Sequence, residues 1–152
     1  MPVNQKVPAS APLATGPALI RTGTLLNSLY EKHARALGLT PQQARLLFIV
    51  TEKPSNMLGL GSMVHLGKST MTSLVDRMQE LGFLSRTPDP EDRRRLLVTA
   101  TDRGTELSRE FERAMRDSVT ALTMNLADAE RSELARTLSV ILAEGDQLLP
   151  SE

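Results

Sequence analysis

Between Leu66 and Gly104 the chain strings together residue types suited to gripping a polyanion. The run Lys68-Ser69-Thr70-Met71-Thr72-Ser73-Leu74-Val75-Asp76-Arg77-Met78 predicts a short amphipathic helix. Its apolar residues, Met71, Leu74, Val75, Met78 and Leu81, recur at three- and four-residue steps and form one buried stripe. Ser69, Thr70, Ser73 and Arg77 then face outward together, with Thr72 at the stripe's edge. Directly after come Gly82-Phe83-Leu84-Ser85-Arg86, a β-like segment, and the charged turn Pro88-Asp89-Pro90-Glu91-Asp92-Arg93-Arg94-Arg95. A second β-like run, Leu96-Leu97-Val98-Thr99-Ala100, follows. A helix followed by an arginine-tipped hairpin can seat the helix in a major groove and the tip on the neighbouring backbone or minor groove.

Each of these features also has an ordinary explanation. Hydroxyls on an arbitrary helix are usually just solvated, and an arginine run beside Asp89, Glu91 and Asp92 is usually a solvated turn. Their succession favours contact with DNA. Ser69, Thr70, Thr72 and Ser73 can meet base edges or phosphates, and the helix N-terminus adds backbone N–H donors. Lys68, Arg77 and Arg86 suit phosphates. Strand alternation would turn Arg93 and Arg95 one way and Arg94 the other. Asp92 is expected to brace the turn by pairing with a nearby arginine. His65 falls just before the helix, where it is exposed or touches phosphate.

Other elements must hold this device. A first helix is expected from about Pro17, whose fixed φ suits a first turn, to Leu37 before Gly38. Thr40-Pro41-Gln42-Gln43 predicts a capping box, opening a helix that ends before Pro54 and is largely buried through Leu46, Leu47, Phe48, Ile49 and Val50. A weakly patterned third helix covers roughly Asn56 to His65. Thr101 can cap a fifth helix, with Leu107, Phe111, Ala114, Met115, Val119, Leu122 and Leu126 on its apolar face. Asp128 can cap a sixth, striped by Leu134, Leu138 and Ile141 and ending near Gly145. The last two helices lie outside the small hairpin-bearing core, so their apolar faces need a partner. Helix one and the same helices of a second copy supply it most economically, as a two-fold dimer.

The bulk numbers narrow the classes. A length of 152 residues suits one domain with helical extensions. Three Phe, one Tyr and no Trp leave an aliphatic core. The absence of Cys excludes disulfides, thiolate catalysis and Cys-type zinc sites, and two distant His make a His-rich metal site improbable. No cofactor is expected. Net charge is zero, but residues 1–64 carry six Lys/Arg against two Asp/Glu, residues 65–100 six against five, and residues 101–152 six against eleven. The acidic third thus lies away from the docking device. No signal-like or membrane-spanning run is present, so the expectation is a soluble cytoplasmic protein, with residues 1–16 a disordered lead.

Taken together, the pattern resembles the MarR family of winged-helix transcriptional regulators. The most specific part is Asp92-Arg93-Arg94 followed seven residues later by Thr101-Asp102-Arg103-Gly104, similar to the family's wing pattern of Asp-x-Arg, a strand and Thr-x-x-Gly. Residues 68–78 match the family's recognition helix and Leu81-Gly82-Phe83-Leu84-Ser85-Arg86 its first wing strand. The likeness extends over about residues 18–147. Gly67 stands where a Ser or Thr cap is common, Ser73 where an Arg is frequent, and Ala100 in place of the usual Leu.

The resemblance implies a mainly α (α+β) fold: a winged helix-turn-helix lobe over about 40–101 and dimerisation helices over about 17–37 and 102–148, within one domain of residues 17–150. It implies a homodimer on a pseudo-palindromic DNA operator, often a repressor released by a small anionic aromatic ligand. It also singles out Arg94 as the residue reaching the minor groove. The family's effector pocket lies between the dimer helices and the DNA-binding lobe, making Arg21, Tyr30, His33 and Arg45 the polar candidates. Arg21 or Arg45 can hold a carboxylate through two parallel hydrogen bonds. His33, four residues from both Leu29 and Leu37, is more often a satisfied core side chain at such a place.

The rival reading is a winged-helix protein-interaction module without specific DNA readout, favoured slightly by the neutral charge and by Ser73. An enzyme finds little support, with no Gly-rich phosphate loop and no carboxylate–His cluster beside a nucleophile.

Overall fold

The computed structural model describes residues 12–64 and 66–148. Residues 1–11 of the expected lead and His65 lie outside the described residues. In chain order the elements are α1 (Thr15–Ala36), α2 (Pro41–Glu52), β1 (Ser55–Asn56), α3 (Met57–Val64), α4 (Lys68–Glu80), β2 (Leu84–Pro88), β3 (Leu96–Ala100), α5 (Asp102–Thr123) and α6 (Asp128–Leu148). The sheet has the order β1-β3-β2 and is antiparallel throughout. This is a mainly α winged helix-turn-helix fold: α3 and α4 form the helical pair, and β2 and β3 form the wing.

The core follows the apolar stripes. Leu46, Leu47 and Val50 of α2, Leu60 of α3, Met71, Val75 and Met78 of α4 and Val98 of β3 are all buried to within 2% exposure. Ala34 of α1 and Phe111 of α5 close it from the long-helix side. Tyr30 meets Phe111 edge-on, with ring centroids 4.7 Å apart, a favoured geometry for an aromatic pair. Phe48 departs from the expected burial of α2 and is 41% exposed, because it points away from the stripe that Leu46, Leu47 and Val50 share.

Several boundaries differ from expectation. Helix α1 starts at Thr15, two residues ahead of Pro17, so residues 15 and 16 of the expected disordered lead are helical. Pro17 is tolerated inside the first turn, where its missing N–H would have had no helical partner. The α2 capping box forms as read: Gln43 N–H donates to Thr40 Oγ1 at 3.2 Å, and Thr40 N–H to Gln43 Oε1 at 2.8 Å. Helix α3 is shorter than expected, and the Asn56 side chain accepts from Gly59 N–H at 2.9 Å to open it. Strand β1 was not anticipated, since two residues are too few to show a period. Asp128 is the first residue of α6 rather than its cap. Ala127 N–H donates instead to the Glu130 carboxylate at 2.7 Å.

The end of α4 decides how the wing leaves it. Gly82, with φ +77°, terminates the helix in a Schellman motif: Phe83 N–H reaches Met78 O at 3.0 Å and Gly82 N–H reaches Gln79 O at 2.8 Å. Gly82 and Phe83, expected in the strand, therefore belong to the helix end, and β2 begins at Leu84. Thr101 then stitches α5 to this corner. Its hydroxyl accepts from Gly104 N–H at 3.1 Å and donates to Gly82 O at 2.7 Å, while its own N–H donates to Phe83 O at 3.0 Å. Arg103 donates to Leu81 O at 3.1 Å and lies 4.8 Å over the Phe83 ring centroid. Gly104 admits no substitute here, because a Cβ would sit 2.0 Å from Phe83 O.

This contact yields a prediction. Gly104→Ala is expected to destabilise the fold by about 2–4 kcal/mol, a fall in Tm on the order of 10 °C, because the first turn of α5 must move off Phe83. Gly145→Ala, where a Cβ meets nothing within 4 Å, is the control and should be neutral or stabilising by up to about 1 kcal/mol through helix propensity. Thermal denaturation of the two variants checks it, and equal Tm values would contradict the close-approach argument.

Candidate nucleic-acid interface and interhelical cleft

Helix α4 buries Met71, Val75 and Met78 against the core, which presents the opposite face to solvent. Lys68, Ser69, Thr70, Thr72, Ser73, Asp76, Arg77 and Glu80 are exposed along it. Two of the hydroxyls are fixed by back-bonding along the helix: Thr72 Oγ1 donates to Lys68 O at 2.9 Å and Ser73 Oγ to Ser69 O at 3.1 Å. Their lone pairs stay available, so toward a ligand they act chiefly as acceptors. Gly67 occupies the N-cap with no side-chain bond, leaving the first backbone N–H groups of α4 pointing outward without a capping side chain. Arg77 pairs with Glu80 at 3.0 Å, with both side chains more than 60% exposed. A pair so exposed is weak and easily exchanged for a phosphate.

The wing tip is a turn, not a strand, so the expected alternation of Arg93, Arg94 and Arg95 does not hold. Asp92 organises it: its Oδ1 accepts from Arg94 N–H at 3.1 Å, its carbonyl accepts from Arg95 N–H at 2.8 Å, and its carboxylate faces Arg95 Nε at 3.4 Å. Asp89 repeats the device with Glu91 N–H at 2.9 Å. Asp89 and Asp92 thus serve the backbone and one arginine, while Glu91 is exposed. Arg93 and Arg94 are exposed and form no ion pair within 4 Å among the described residues.

Arg86 behaves differently from the other basic residues. Its side chain is about three-quarters buried, and its guanidinium donates to the Asp76 carboxylate at 2.6 Å and to the Gln79 side-chain oxygen, both on α4. Beside it, Ser85 and Thr99 pair across β2 and β3 through their hydroxyls at 2.9 Å. Asp76 and Gln79 were not singled out from the sequence. Their three-residue spacing on α4, with an arginine in the following strand, is the signal that could have found them.

A second feature lies between the long helices and the lobe. A cleft of about 630 Å³ is lined by Leu26, Asn27, Tyr30, Gln42, Arg45 and Met115, with Gly23, Glu31, Pro41 and Val119 completing its wall. Of the four effector candidates, the structure brings Tyr30 and Arg45 together here. Burial holds the Tyr30 hydroxyl above its ordinary pKa, and the charge of Arg45 pulls the other way. The hydroxyl is therefore protonated at neutral pH, and Tyr30 and Arg45 both present donors. Arg21 is exposed on α1 and does not line the cleft. His33 is half-buried and its Nε2 meets Ser118 Oγ at 2.8 Å, tying α1 to α5. Asn27 and Gln42 were missed, although each lies three residues before Tyr30 or Arg45 and so shares its helical face.

Comparison with known proteins agrees with this geometry. A sequence model of the MarR family matches residues 37–95, from the end of α1 to the wing tip. The HTH-type transcriptional repressor NicR of Pseudomonas putida is 27% identical over 110 residues, covering 66% of this chain and 70% of that protein. The crystal structure of RV1404 from Mycobacterium tuberculosis superposes with a TM-score of 0.75 at 27% identity, covering 91% of this chain and 99% of that one. CouR from Rhodococcus jostii RHA1, solved bound to p-coumaroyl-CoA, superposes with a TM-score of 0.68 at 26% identity, covering 83% of this chain and 90% of that one. Over residues 37–95 the chain is thus similar to the MarR family, and its helix pair and wing share the fold of the solved structures on which it superposes.

Proposed function

We propose that the protein is a homodimeric repressor that reads a pseudo-palindromic operator and is released by a small anionic aromatic ligand. The observation that carries the DNA part is the exposed hydroxyl face of α4 held beside a wing tip bearing two unpaired arginines. In this reading α4 enters the major groove with Ser69, Thr70, Thr72 and Ser73 toward base edges. Lys68 and Arg77 neutralise phosphates, and Arg94 reaches the flanking minor groove with Arg93 and Arg95 on the adjoining backbone. Repression is supported by the name of the NicR relative.

The dimer reading rests on uncovered apolar surface. Every side chain from Asp128 to Glu144 of α6 is exposed, including Leu134, Leu138 and Ile141. Leu19 and Ile20 of α1 and Val119 and Leu122 of α5 are exposed with them. Most of a helix's stability in a protein comes from packing its apolar stripe, and this stripe is unpacked within one chain. The same surface on a second copy, related by a two-fold axis, buries it on both sides at once. Two recognition helices so related require half-sites about 10 bp apart or a multiple of that.

The ligand reading rests on the cleft, whose size is ordinary for a small-molecule site. Apolar walls from Leu26 and Met115 suit an aromatic ring, and Arg45 with Tyr30 suits a carboxylate or phenolate. CouR, solved bound to p-coumaroyl-CoA, supports an aromatic acid or its thioester as the class to try. Such a ligand acts only if it binds the DNA-competent and DNA-incompetent geometries with different affinity.

Three outcomes are expected. Genomic fragments retained by the purified protein should share an inverted repeat with half-sites about one helical turn apart, and the protein should sediment at twice its 16.6 kDa chain mass. Retention without a shared motif, or a monomer, would remove this reading. On the recovered operator, Arg94→Ala should weaken binding by about 1–3 kcal/mol, measured by fluorescence anisotropy. Unchanged affinity would detach the wing tip from DNA. In calorimetric titration with p-coumarate and p-coumaroyl-CoA, Arg45→Ala should lower the affinity of whichever binds by about 1.5–3 kcal/mol, the loss of a hydrogen bond to a charged group, while Arg21→Ala leaves it unchanged. The reverse order would move the ligand out of the cleft.

A further inference from the structure

Six ion pairs occur among the described residues, and five of them are local, spanning three or four positions along one helix or one turn. The sixth, Arg86–Asp76, is the one that joins two elements, β2 to α4. It also has the most deeply buried member of the six: the Arg86 side chain is 26% exposed. Gln79 takes another nitrogen of the same guanidinium, so two side chains one turn apart on α4 hold the planar fork from one side. In the sheet Arg86 lies opposite Val98, a fully buried residue of β3, so its backbone is fixed on one side as its head is fixed on the other.

We infer that Arg86 is a positioning residue that sets the angle between the recognition helix and the wing, and that it is not a phosphate contact. Asp76 is its partner. The acid stands one turn beyond Thr72 and Ser73 on a face that meets a polyanion, where a carboxylate opposes binding by simple charge. Its presence there is accounted for by what it holds. With the clamp closed, the distance from the α4 hydroxyls to the Arg94 guanidinium is set before DNA arrives, so less ordering accompanies binding. With it open, β2 and β3 can swing about the Gly82 corner and the two readers lose their register. The inference rests on the DNA-binding reading above.

The test uses the recovered operator and a random-sequence duplex of equal length, with affinity measured across a salt series for Asp76→Ala, Arg86→Lys and Arg86→Ala. A positioning clamp predicts that Asp76→Ala weakens operator binding on the order of tenfold, while random-duplex binding stays level or tightens. It also predicts that Arg86→Lys, which keeps the charge but loses the fork, falls as far as Arg86→Ala. The slope of log affinity against log salt should match the wild type in all three.

A phosphate contact predicts the opposite pattern, and that pattern would overturn the inference. Asp76→Ala would tighten binding to both duplexes, Arg86→Lys would stay near wild type, and Arg86→Ala would lose about one unit of salt slope. Urea denaturation of Asp76→Ala, Arg86→Ala and the double variant reads the clamp without DNA. Non-additive losses support it, and additive losses overturn it. A wild-type protein that selects no operator would instead remove the DNA reading itself, and this inference with it.

Discussion

The corner where α4 ends, the wing begins and α5 starts depends on one close approach, Gly104 against the carbonyl of Phe83. A helix cannot normally start this near another backbone, because side chains hold axes apart. Removing the Cβ lets the first turn of α5 sit on the last turn of α4, and Thr101 and Arg103 then serve the orphan groups of both helices. Arg103 satisfies Leu81 O, a carbonyl that the end of α4 leaves without a helical partner, and its guanidinium covers Phe83. Thr101 satisfies Gly82 O on one side and Gly104 N–H on the other. Four residues thus fix the direction of the recognition helix, the departure of the wing and the root of a long helix. The motif Thr-x-x-Gly is a steric and hydrogen-bonding necessity before it is a family mark.

Charge is used in the same local way. The chain is neutral overall, yet four of the acids near the proposed DNA face are engaged. Asp92 and Asp89 bind turn N–H groups, Asp76 holds Arg86, and Glu80 faces Arg77. These acids lower the net attraction to DNA while leaving Arg93 and Arg94 outside their pairs. A surface arranged like this trades non-specific affinity for geometry. Salt-dependent, sequence-independent binding grows with the number of phosphates neutralised, and here few cations are available for it. On the proposed reading, discrimination then falls to the α4 hydroxyls and the spacing of the readers.

Much of this was legible in the sequence, and the reasons are physical. The α4 stripe, the α2 capping box and the Thr101 cap are local rules acting within a few residues, and each was found where the pattern placed it. Strand β3 coincided with its apolar run. What failed to show was anything decided by tertiary contact. Strand β1 exists because β3 offers it an edge. Gly82 and Phe83 read as strand but are held by carbonyls of α4. Phe48 is apolar in sequence yet lies off the stripe. In the cleft, Tyr30 and Arg45 were legible as polar residues on core-facing helices. Arg21 was grouped with them, although nine residues at roughly 100° each turn it to the far side of α1 from Tyr30. Arg86 read as one more free cation, since a partner ten positions earlier on another element leaves no periodic trace.

Helix α5 is where these features meet. Its first turn carries Arg103 and Gly104 at the recognition-helix corner, and Met115 and Val119 line the cleft. The two sites stand about 18 Å apart along one continuous helix axis. A straight α-helix passes a tilt from one end to the other with little loss. At the corner such a tilt would meet backbone contact rather than soft side chains, and would be felt at the end of α4. His33 and Ser118 join α1 to the same helix at the level of the cleft, so a ligand wedged between α1, α2 and α5 would work against both. For such a ligand to act as a switch it needs no contact with DNA or the wing. It needs only to favour one tilt of α5 by more than the operator favours the other, and that difference is a binding free energy felt equally at both ends.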